Sequence, residues 1–427
     1  MIFMVSFAES LQCTECGSTY ALTTSCYGCG ECDGPLEIQY DYESIADLLD
    51  KERVRLRTVQ TIERWIEFLP IGDKRKIQTA SLGESTTPLL ECEQLAKKVG
   101  VHKLYVKNDS AFPTGSFKDR SMPLAVIHAL ENEAKILAIV SSGNAAASMG
   151  AHAARAGLES IAMVDNQAPL SKLAQLSVYG VKALVINADY SRIMELFISA
   201  RDRFGWYDCN SENNPFRFEG NKTCAYEICD QLEWEVPDWV ISPMGTCTGI
   251  AGQWKGFKEL VLTDFTTETP HLAGVQAEAC SPVVTAFRKK GKTVEPCEPG
   301  QTIATAIKMS NPRYGKKALQ SIYESNGDAE TVTDGEMLEA VKLLAKEGIF
   351  SEPAGVAPLA AAIKLVEHGR IEKDQEVVCV VTGHGLKTPE IASSISHRPS
   401  AIDPRSEDVE KALQTHRECE LKPKFHS

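Results

Sequence analysis

The N-terminal segment of the chain carries four cysteines in two close pairs. Two residues separate Cys13 from Cys16 and Cys29 from Cys32, and twelve residues lie between the pairs. Four thiolates with this spacing can surround one zinc ion and leave no coordination position open, so the pattern predicts a structural metal site. Cys26, three residues before Cys29, is an alternative ligand in the second pair, and free cysteines in a loop are the alternative without metal.

One lysine lies in a segment suited to presenting a reactive amine. Lys118 belongs to Pro113–Arg120, where proline and glycine indicate a turn, and a helical pattern begins near Ser121. The lysine is therefore predicted at the junction of turn and helix, where its amine could face a cleft. Taken alone, a lysine in such a place is more often a solvated surface residue.

Three further polar segments each follow an apolar run. Ser141-Ser142-Gly143-Asn144 precedes a helical pattern, where backbone donors and the helix dipole favour an anion, although an ordinary helix cap gives the same pattern. The loop Gly245–Gly252 could wrap a phosphate, although it is neither a Walker A loop nor G-x-G-x-x-G, and a plain tight connection is the alternative. Thr382 would put a hydroxyl at the carboxyl end of a strand, where open α/β sheets bind ligands, but threonine is also common there.

The elements that must position these residues alternate along the chain. Apolar runs such as LYVK, ILAIV, SIAMV and VVCVVT are strand-like, and amphipathic segments such as SRIMELFISARDRF separate them. This alternation predicts an α/β fold whose mainly parallel sheets are covered by helices. Residues 11–40, rich in cysteine and glycine, form a separate unit that needs an internal staple, and residues 41–80 form a helical connector.

Length and charge narrow the classes of function. A chain of 427 residues exceeds the span of one core and predicts two principal domains with a small appendage. The net charge of -13 disfavours a nucleic-acid or membrane partner. No apolar run reaches the roughly 20 residues that span a bilayer, and the first residues lack the basic flank of a secretory signal. Together with scattered cysteines typical of reduced thiols, this predicts a cytoplasmic protein.

The order and spacing of these motifs, from the cysteine pairs to about Pro389, resemble the threonine synthase family of fold-type II pyridoxal-phosphate enzymes. Leu82–Leu89 resembles the opening motif of that family, Pro113–Arg120 its cofactor-lysine motif, and Asn214–Thr223 a stretch of threonine synthases. The resemblance implies an α/β fold of two open, mainly parallel sheets covered by helices, with a small N-terminal zinc-ribbon-like module. It also implies two cofactors, pyridoxal 5'-phosphate and structural zinc.

The resemblance further implies a role for individual residues. Lys118 would be the catalytic residue, bonded to the cofactor and then free to abstract the α-proton of the substrate. Asn144 is expected on the pyridine hydroxyl oxygen and Thr382 on the pyridine nitrogen. The expected cofactor-binding residues are Lys118, Asn144, Gly245, Thr246, Cys247, Thr248, Gly249 and Thr382. The expected substrate-binding residues are Ser141, Ser142, Asn214, Arg217 and Lys222, with Arg217 on the phosphate of O-phosphohomoserine, which water would replace to give threonine.

Some positions depart from the family pattern and leave other substrates open. Gly245–Gly249 reads Gly-Thr-Cys-Thr-Gly rather than Gly-Asn-x-Gly-Asn, Ala145 and Ala146 stand in place of Thr-Gly, and Lys308 stands where arginine is common. The alternatives in the same fold are a β-replacement enzyme acting on O-phosphoserine or O-acetylserine and a Ser/Thr dehydratase. A non-catalytic protein bearing the ribbon is a further alternative, against which the acidic charge and Lys118 argue.

The implied domain organisation has five parts. They are residues 1–40, the zinc-ribbon-like module; 41–103, the helical connector and first part of the large domain; 104–215, the small domain; 216–396, the large domain; and 397–427, a polar C-terminal tail. The expected partners are a small phosphorylated amino acid and a second copy of the chain in a homodimer, with no nucleic acid and no membrane.

Overall fold

The apolar runs of the sequence become strands because each can bury β-branched side chains on both faces of a sheet. The computed structural model describes residues 6–22, 27–166, 170–188, 190–395 and 401–420. Its strands, in chain order, are β1 Ala8–Cys13, β2 Thr19–Ala21, β3 Leu36–Tyr40, β4 Leu89–Glu91, β5 Lys103–Asn108, β6 Ile136–Val140, β7 Glu159–Asp165, β8 Lys182–Ile186, β9 Tyr207–Asp208, β10 Trp239–Pro243, β11 His271–Ala277, β12 Asp328–Val332 and β13 Glu376–Val381.

Amphipathic segments between the strands form the helices that cover them. The helices are α1 Tyr42–Leu48, α2 Lys51–Arg55, α3 Arg75–Ala80, α4 Glu93–Val99, α5 Lys118–Glu131, α6 Asn144–Ala156, α7 Leu170–Val178, α8 Tyr190–Phe204, α9 Pro215–Glu219, α10 Thr223–Gln231, α11 Thr248–Leu262, α12 Pro282–Arg288, α13 Gly315–Glu324, α14 Asp334–Ala345, α15 Pro353–Glu367, α16 Pro389–Ile395 and α17 Ser406–Glu420. Turns of 3-10 helix lie at Ile62–Phe68, Asp109–Ala111, Gly220–Lys222, Thr305–Ile307 and Gly385–Lys387. Among the described residues, no helix is both long and apolar enough to cross a membrane.

Two sheets form the body of the first of two units, residues 1–387. The larger sheet has the strand order β12-β11-β10-β13-β5-β4, parallel except for β4, which runs antiparallel to β5. The smaller sheet has the order β8-β7-β6-β9, and its strand pairs are parallel. The predicted α/β architecture of largely parallel sheets covered by helices is confirmed.

The pairing of β5 with β13 decides which loops meet at the edge of the larger sheet. In this parallel register Asn108 lies opposite Val381, so the chain leaves both strands at the same edge. The segment that leads to Lys118 and the segment that begins with Thr382 therefore emerge side by side. This is the edge at which open parallel sheets bind ligands.

The membership of β5 differs from the domain boundary that the sequence predicts. Residues 104–215 are predicted as the small domain, but Lys103–Asn108 pairs with β13 and β4 in the larger sheet. A short apolar run fits a buried strand of either sheet, and its partner here comes from residues 376–381, far along the chain. The other predicted domain limits stay predictions.

The cysteine segment, with strands β1, β2 and β3, has a sheet of its own and is called the cysteine module below, but it is part of the first unit rather than a separate domain. Strands β1, β2 and β3 make a three-stranded antiparallel sheet in the order β2-β1-β3. Leu11 and Ile38 of this sheet are fully buried, because the module contributes to the same apolar core as the large body. The second unit, residues 388–427, contains α16 and α17.

Candidate active site

Lys118 is the first residue of α5 and is fixed by the loop that follows β13. Ser116 and Gly383 form an isolated antiparallel bridge. The backbone N–H of Phe117 donates to the carbonyl oxygen of Thr382 at 2.9 Å. The turn before Lys118 and the Thr382 loop thus hold each other in place, as the parallel pairing of β5 and β13 requires.

The amine of Lys118 borders a cavity of about 600 Å³. Burial lowers the pKa of this amine to about 7, and the positive charge of Arg217 contributes in the same direction, whereas Glu352 and Glu212 oppose the shift. The Nζ atom lies 4.0 Å from the centroid of the Phe117 ring. A large share of this lysine is therefore neutral near pH 7, which is the form that attacks an aldehyde or accepts a proton.

The Ser141–Asn144 loop joins β6 to α6 and faces the same cavity. Ser141, Ser142 and Asn144 all line the cavity. Asn144 is the first residue of α6, so the free N–H groups of this helix end lie beside it. Its Nδ2 donates to Oε1 of Glu352 at 2.8 Å, which fixes the orientation of the amide.

The glycine loop joins β10 to α11 on another wall of the cavity. Its residues Gly245, Thr246, Cys247, Thr248 and Gly249 line the cavity. Cys247 has the left-handed backbone conformation, with φ 68°, directly before the first residue of the helix. A Cβ at Gly245 would lie 2.8 Å from the carbonyl oxygen of Ala306, so only glycine fits there. The loop thus presents backbone donors and the positive end of a 15-residue helix to an anion.

Arg217 lies on α9 and lines the cavity, and one of its guanidinium nitrogens has no hydrogen-bond partner among the described residues. Its Nη1 donates to the carbonyl oxygen of Cys209, and its Nε lies 3.4 Å from Oγ of Ser121. Its Nη2 is buried and has no hydrogen-bond partner among the described residues. Burial lowers the pKa of the guanidinium to about 10, so it keeps its charge at neutral pH. A buried cation with an unused donor beside a cavity is suited to an anionic ligand.

Asn214, predicted to bind substrate, is used by the fold instead. Its side-chain oxygen accepts from the backbone N–H of Arg217 at 3.0 Å, which caps the start of α9. Its Nδ2 donates to the hydroxyl of Tyr207 at 3.0 Å. The side chain is buried and does not line the cavity. It therefore supports the helix that carries Arg217 rather than contacting a ligand.

Lys222, also predicted to bind substrate, does not line the cavity. Its Nζ lies 2.6 Å from Oε2 of Glu219 and 2.8 Å from Oε1 of Glu259, and it is fully buried. The same atom lies 3.9 Å from the centroid of the Tyr40 ring. A lysine so paired is not available to a substrate phosphate, and these contacts argue against the prediction for this residue. The sequence pattern identified a lysine but not the face of the helical segment on which it lies.

Two carboxylates of the site were not found from the sequence. Glu352 directly precedes α15 and accepts the Asn144 hydrogen bond, and Glu212 lies in the loop after β9. Burial raises the pKa of Glu212, and a backbone donor from Arg313 partly offsets the shift. The available signal was weak, because a glutamate before Pro353 at a helix start is usually a solvated cap. Lys387, which donates to Gln175 at 2.8 Å, is a further cavity residue that was missed.

The four predicted cysteine ligands converge on one point. The sulfur atoms of Cys13, Cys16, Cys29 and Cys32 all lie within 4.8 Å of one another. The backbone nitrogen of Glu15 lies 3.4 Å from Sγ of Cys13, and that of Glu31 lies 3.4 Å from Sγ of Cys29. The alternative ligand Cys26 lies outside the described residues. Among the described cysteines, the four named are the ones that converge.

Comparison with known proteins agrees with this geometry. The chain matches the family described as pyridoxal-phosphate dependent enzyme over residues 80–383. The threonine synthase of Methanocaldococcus jannaschii is 45% identical over 394 residues, covering 92% of this chain and 96% of that protein. The threonine synthase of Methanosarcina acetivorans is 38% identical, covering 94% of this chain and 98% of that protein.

Solved structures with this fold are more distant in sequence. Maize serine racemase has a TM-score of 0.64 at 19% identity, covering 80% of this chain and 97% of that one. Diaminopropionate ammonia lyase from Escherichia coli has a TM-score of 0.64 at 16% identity, covering 77% and 95%. These structural likenesses establish the fold alone. The family match and the sequence identity to threonine synthases over almost the whole chain establish the family. This chain belongs to the threonine synthase family of fold-type II pyridoxal-phosphate-dependent enzymes.

Proposed function

We propose that this chain uses pyridoxal 5'-phosphate, bonded to Lys118, to convert O-phospho-L-homoserine and water into L-threonine and phosphate. Threonine synthases related over almost the whole chain support the reaction. The observation that carries the substrate class is that Arg217 lines the cavity and that its buried Nη2 has no hydrogen-bond partner in the described part of the chain. A substrate without a phosphate would leave this buried charged group unpaired, which costs free energy. A dehydratase, whose substrate has no phosphate, would therefore not be expected to carry such a residue.

The residues around the cavity fit the cofactor. A neutral lysine, a glycine loop at a helix start and an asparagine held by a carboxylate offer an amine, an anion cradle and a donor to three parts of one flat molecule. We assign the phosphate of the cofactor to residues 245–249 and its ring hydroxyl oxygen to Asn144. We assign its ring nitrogen to Thr382, which is buried at the cavity wall.

The chemistry divides between the cofactor and the chain. When bound, pyridoxal phosphate supplies an electron sink that stabilises negative charge on carbons next to the substrate nitrogen. Lys118 Nζ, with its pKa held near 7, accepts the proton from the substrate α-carbon and can return it. Ser141 and Ser142, beside the N-terminus of α6, hold the substrate carboxylate. Arg217 Nη2 holds the γ-phosphate before it leaves and so fixes the carbon chain over the lysine.

The cysteine module is proposed to bind one structural zinc ion. Four sulfur donors within 4.8 Å of one another match the ligand set of closed tetrahedral zinc sites. The donor set leaves no position for water or substrate, so the metal would stabilise the module without entering the reaction. The proposal also includes a homodimer in the cytoplasm, acting on a small amino acid, with no nucleic-acid or membrane partner.

Product identification tests the proposed reaction. Purified protein is incubated with O-phospho-L-homoserine, with O-phospho-L-serine in the presence and absence of an added nucleophile, or with L-threonine, and amino acids, 2-oxo acids and phosphate are quantified. We expect equal amounts of L-threonine and phosphate from the first compound and little turnover of the other two. Turnover of O-phospho-L-serine with an added nucleophile as the main reaction would replace the proposal with β-replacement, and 2-oxobutanoate from threonine would replace it with dehydration.

A further inference from the structure

Arg313 connects the cysteine module to a loop of the active site. Its Nη2 donates to the carbonyl oxygen of Asp33 and lies 3.0 Å from Oδ1 of the same residue. Its Nη1 donates to Oδ1 of Asn213 at 3.1 Å, and its backbone N–H donates to Oε1 of Glu212 at 3.1 Å. One residue thus holds both sides of the boundary between the module and the cavity wall.

On the module side, Arg313 contacts the turn that follows the second cysteine pair. Asp33 comes directly after Cys32, and its backbone N–H donates to the carbonyl oxygen of Cys29 at 2.8 Å. A Cβ at Gly28 would lie 2.7 Å from Nη2 of Arg313, so the guanidinium occupies space that only glycine leaves free. The position of Arg313 therefore depends on the fold of the segment that carries the metal ligands.

On the active-site side, the contacted loop shapes the cavity and its charge. Ser211 and Glu212 both line the cavity, and Oγ of Ser211 lies 3.5 Å from Oγ1 of Thr246 in the glycine loop. The carboxylate of Glu212 acts on Lys118 by raising the pKa of its amine. The same loop continues into α9, which carries Arg217. A shift of this loop would therefore move groups on two walls of the cavity.

We infer that Arg313 is a positioning residue that couples the fold of the cysteine module to substrate binding. Its hydrogen bonds to Glu212 and Asn213 fix the position of residues 210–214 relative to the turn at Asp33. The inference rests on the proposed function for the identity of the substrate. It assigns to the module, otherwise a structural appendage, a direct effect on the affinity of the site. Because Arg313 does not line the cavity, it acts through Glu212 and Asn213.

The contacts of Arg313 distinguish positioning from general stabilisation. The side chain is 26% exposed and that of Asp33 is 88% exposed, so their ion pair contributes little to the free energy of unfolding. Replacing Arg313 by methionine should therefore leave the melting temperature almost unchanged. The loop would nevertheless lose its tie to the module.

The test compares Arg313→Met with Lys316→Met. Lys316, on α13, forms a separate ion pair with Glu15 of the module, and it makes no hydrogen bond to residues 210–214, all of which the structure describes. In holoenzyme containing the metal, we expect Arg313→Met to raise KM for O-phospho-L-homoserine about tenfold with little change in kcat. The visible absorbance of the cofactor and the zinc content should stay as in the wild type. Lys316→Met should change none of these quantities, and Arg313→Lys should recover part of the loss.

A second measurement does not depend on the substrate. Hydrogen–deuterium exchange of peptides covering residues 208–214 should be faster in Arg313→Met than in wild type and unchanged in Lys316→Met. Absence of turnover by the wild-type protein would refute the proposed function but not this inference, which the exchange rates then decide. Unchanged exchange and unchanged KM in Arg313→Met, or equal effects in Lys316→Met, would overturn it.

A double-variant cycle tests whether the effect passes through Asp33. Asp33 has φ 57°, a conformation that glycine accepts, so Asp33→Gly removes the carboxylate without backbone strain. Because glycine keeps the backbone carbonyl that also accepts from Arg313, we expect Asp33→Gly to raise KM less than Arg313→Met does, and to have no further effect in Arg313→Met. Additive effects of the two changes would mean that Arg313 does not transmit the fold of the module, and the inference would fail.

Discussion

Replacing Arg217 by methionine should impair use of a phosphorylated substrate far more than it impairs cofactor binding. Methionine keeps much of the length and apolar volume of the side chain but removes the guanidinium. Of the guanidinium nitrogens, Nη2 is the one without a hydrogen-bond partner among the described residues, since Nη1 donates to the carbonyl oxygen of Cys209 and Nε lies near Ser121, so we assign Nη2 to the phosphate. A hydrogen bond to a charged group is worth about 1.5 to 3 kcal/mol. One such bond to the phosphate predicts a loss in kcat/KM of roughly 10- to 150-fold.

The assay separates this loss from damage to the fold. Phosphate release is measured over a range of O-phospho-L-homoserine concentrations, with cofactor absorbance and thermal unfolding recorded on the same samples. Arg64→Met is the matched control, because Arg64 is also buried and pairs with Asp230 but does not line the cavity. This control should lower the melting temperature while leaving kcat/KM of the folded enzyme nearly unchanged. An Arg217→Met enzyme that keeps its cofactor and loses less than about threefold in kcat/KM would refute the assignment.

Three further predictions follow from the same site. Lys118→Ala should yield colourless protein without turnover, and activity comparable to wild type would contradict the role of this lysine. Glu352→Gln removes a negative charge that favours the ammonium form of Lys118, so the pKa of the amine should fall below its value of about 7. The rate at which cofactor-free protein combines with pyridoxal phosphate should then reach half its maximum at lower pH than in wild type, and a midpoint moved upward would show the reverse coupling. Chelation should release about one zinc ion per chain and lower the melting temperature while kcat is retained, whereas metal-free preparations of equal stability would remove the case for a structural metal.

Much of the fold could be predicted from the sequence because its strands are short, apolar and separated by clear amphipathic segments. ILAIV and EVVCVV became β6 and β13, and the polar segments after them became loops of the active site. The sheet to which β5 belongs could not be read in the same way, since its partner lies at residues 376–381. The local pattern predicts whether a segment is a strand or a helix better than it predicts which strands lie beside it.

The predicted site residues fall into two groups, those that border the cavity and those that do not. Lys118, Asn144 and Thr382 each border the cavity, because the position of a residue at the end of a strand or the start of a helix limits where it can face. Asn214 and Lys222 do not border it, although they lie close to Arg217 in the chain. The direction of a side chain within a helical stretch depends on packing, and here Glu219 and Glu259 draw the lysine into the interior. Glu212 and Glu352 became visible as site residues only after distant loops were brought together.

The bridge between Ser116 and Gly383 has a consequence for synthesis of the enzyme. The cofactor lysine emerges early from the ribosome, but the strand and loop that hold its turn are among the last parts of the catalytic body to be made. Contacts of such long sequence separation form slowly and late. A ribosome-bound chain should therefore be unable to retain its coenzyme until β13 and the Thr382 loop have left the exit tunnel, so loading with vitamin B6 marks completion of the fold.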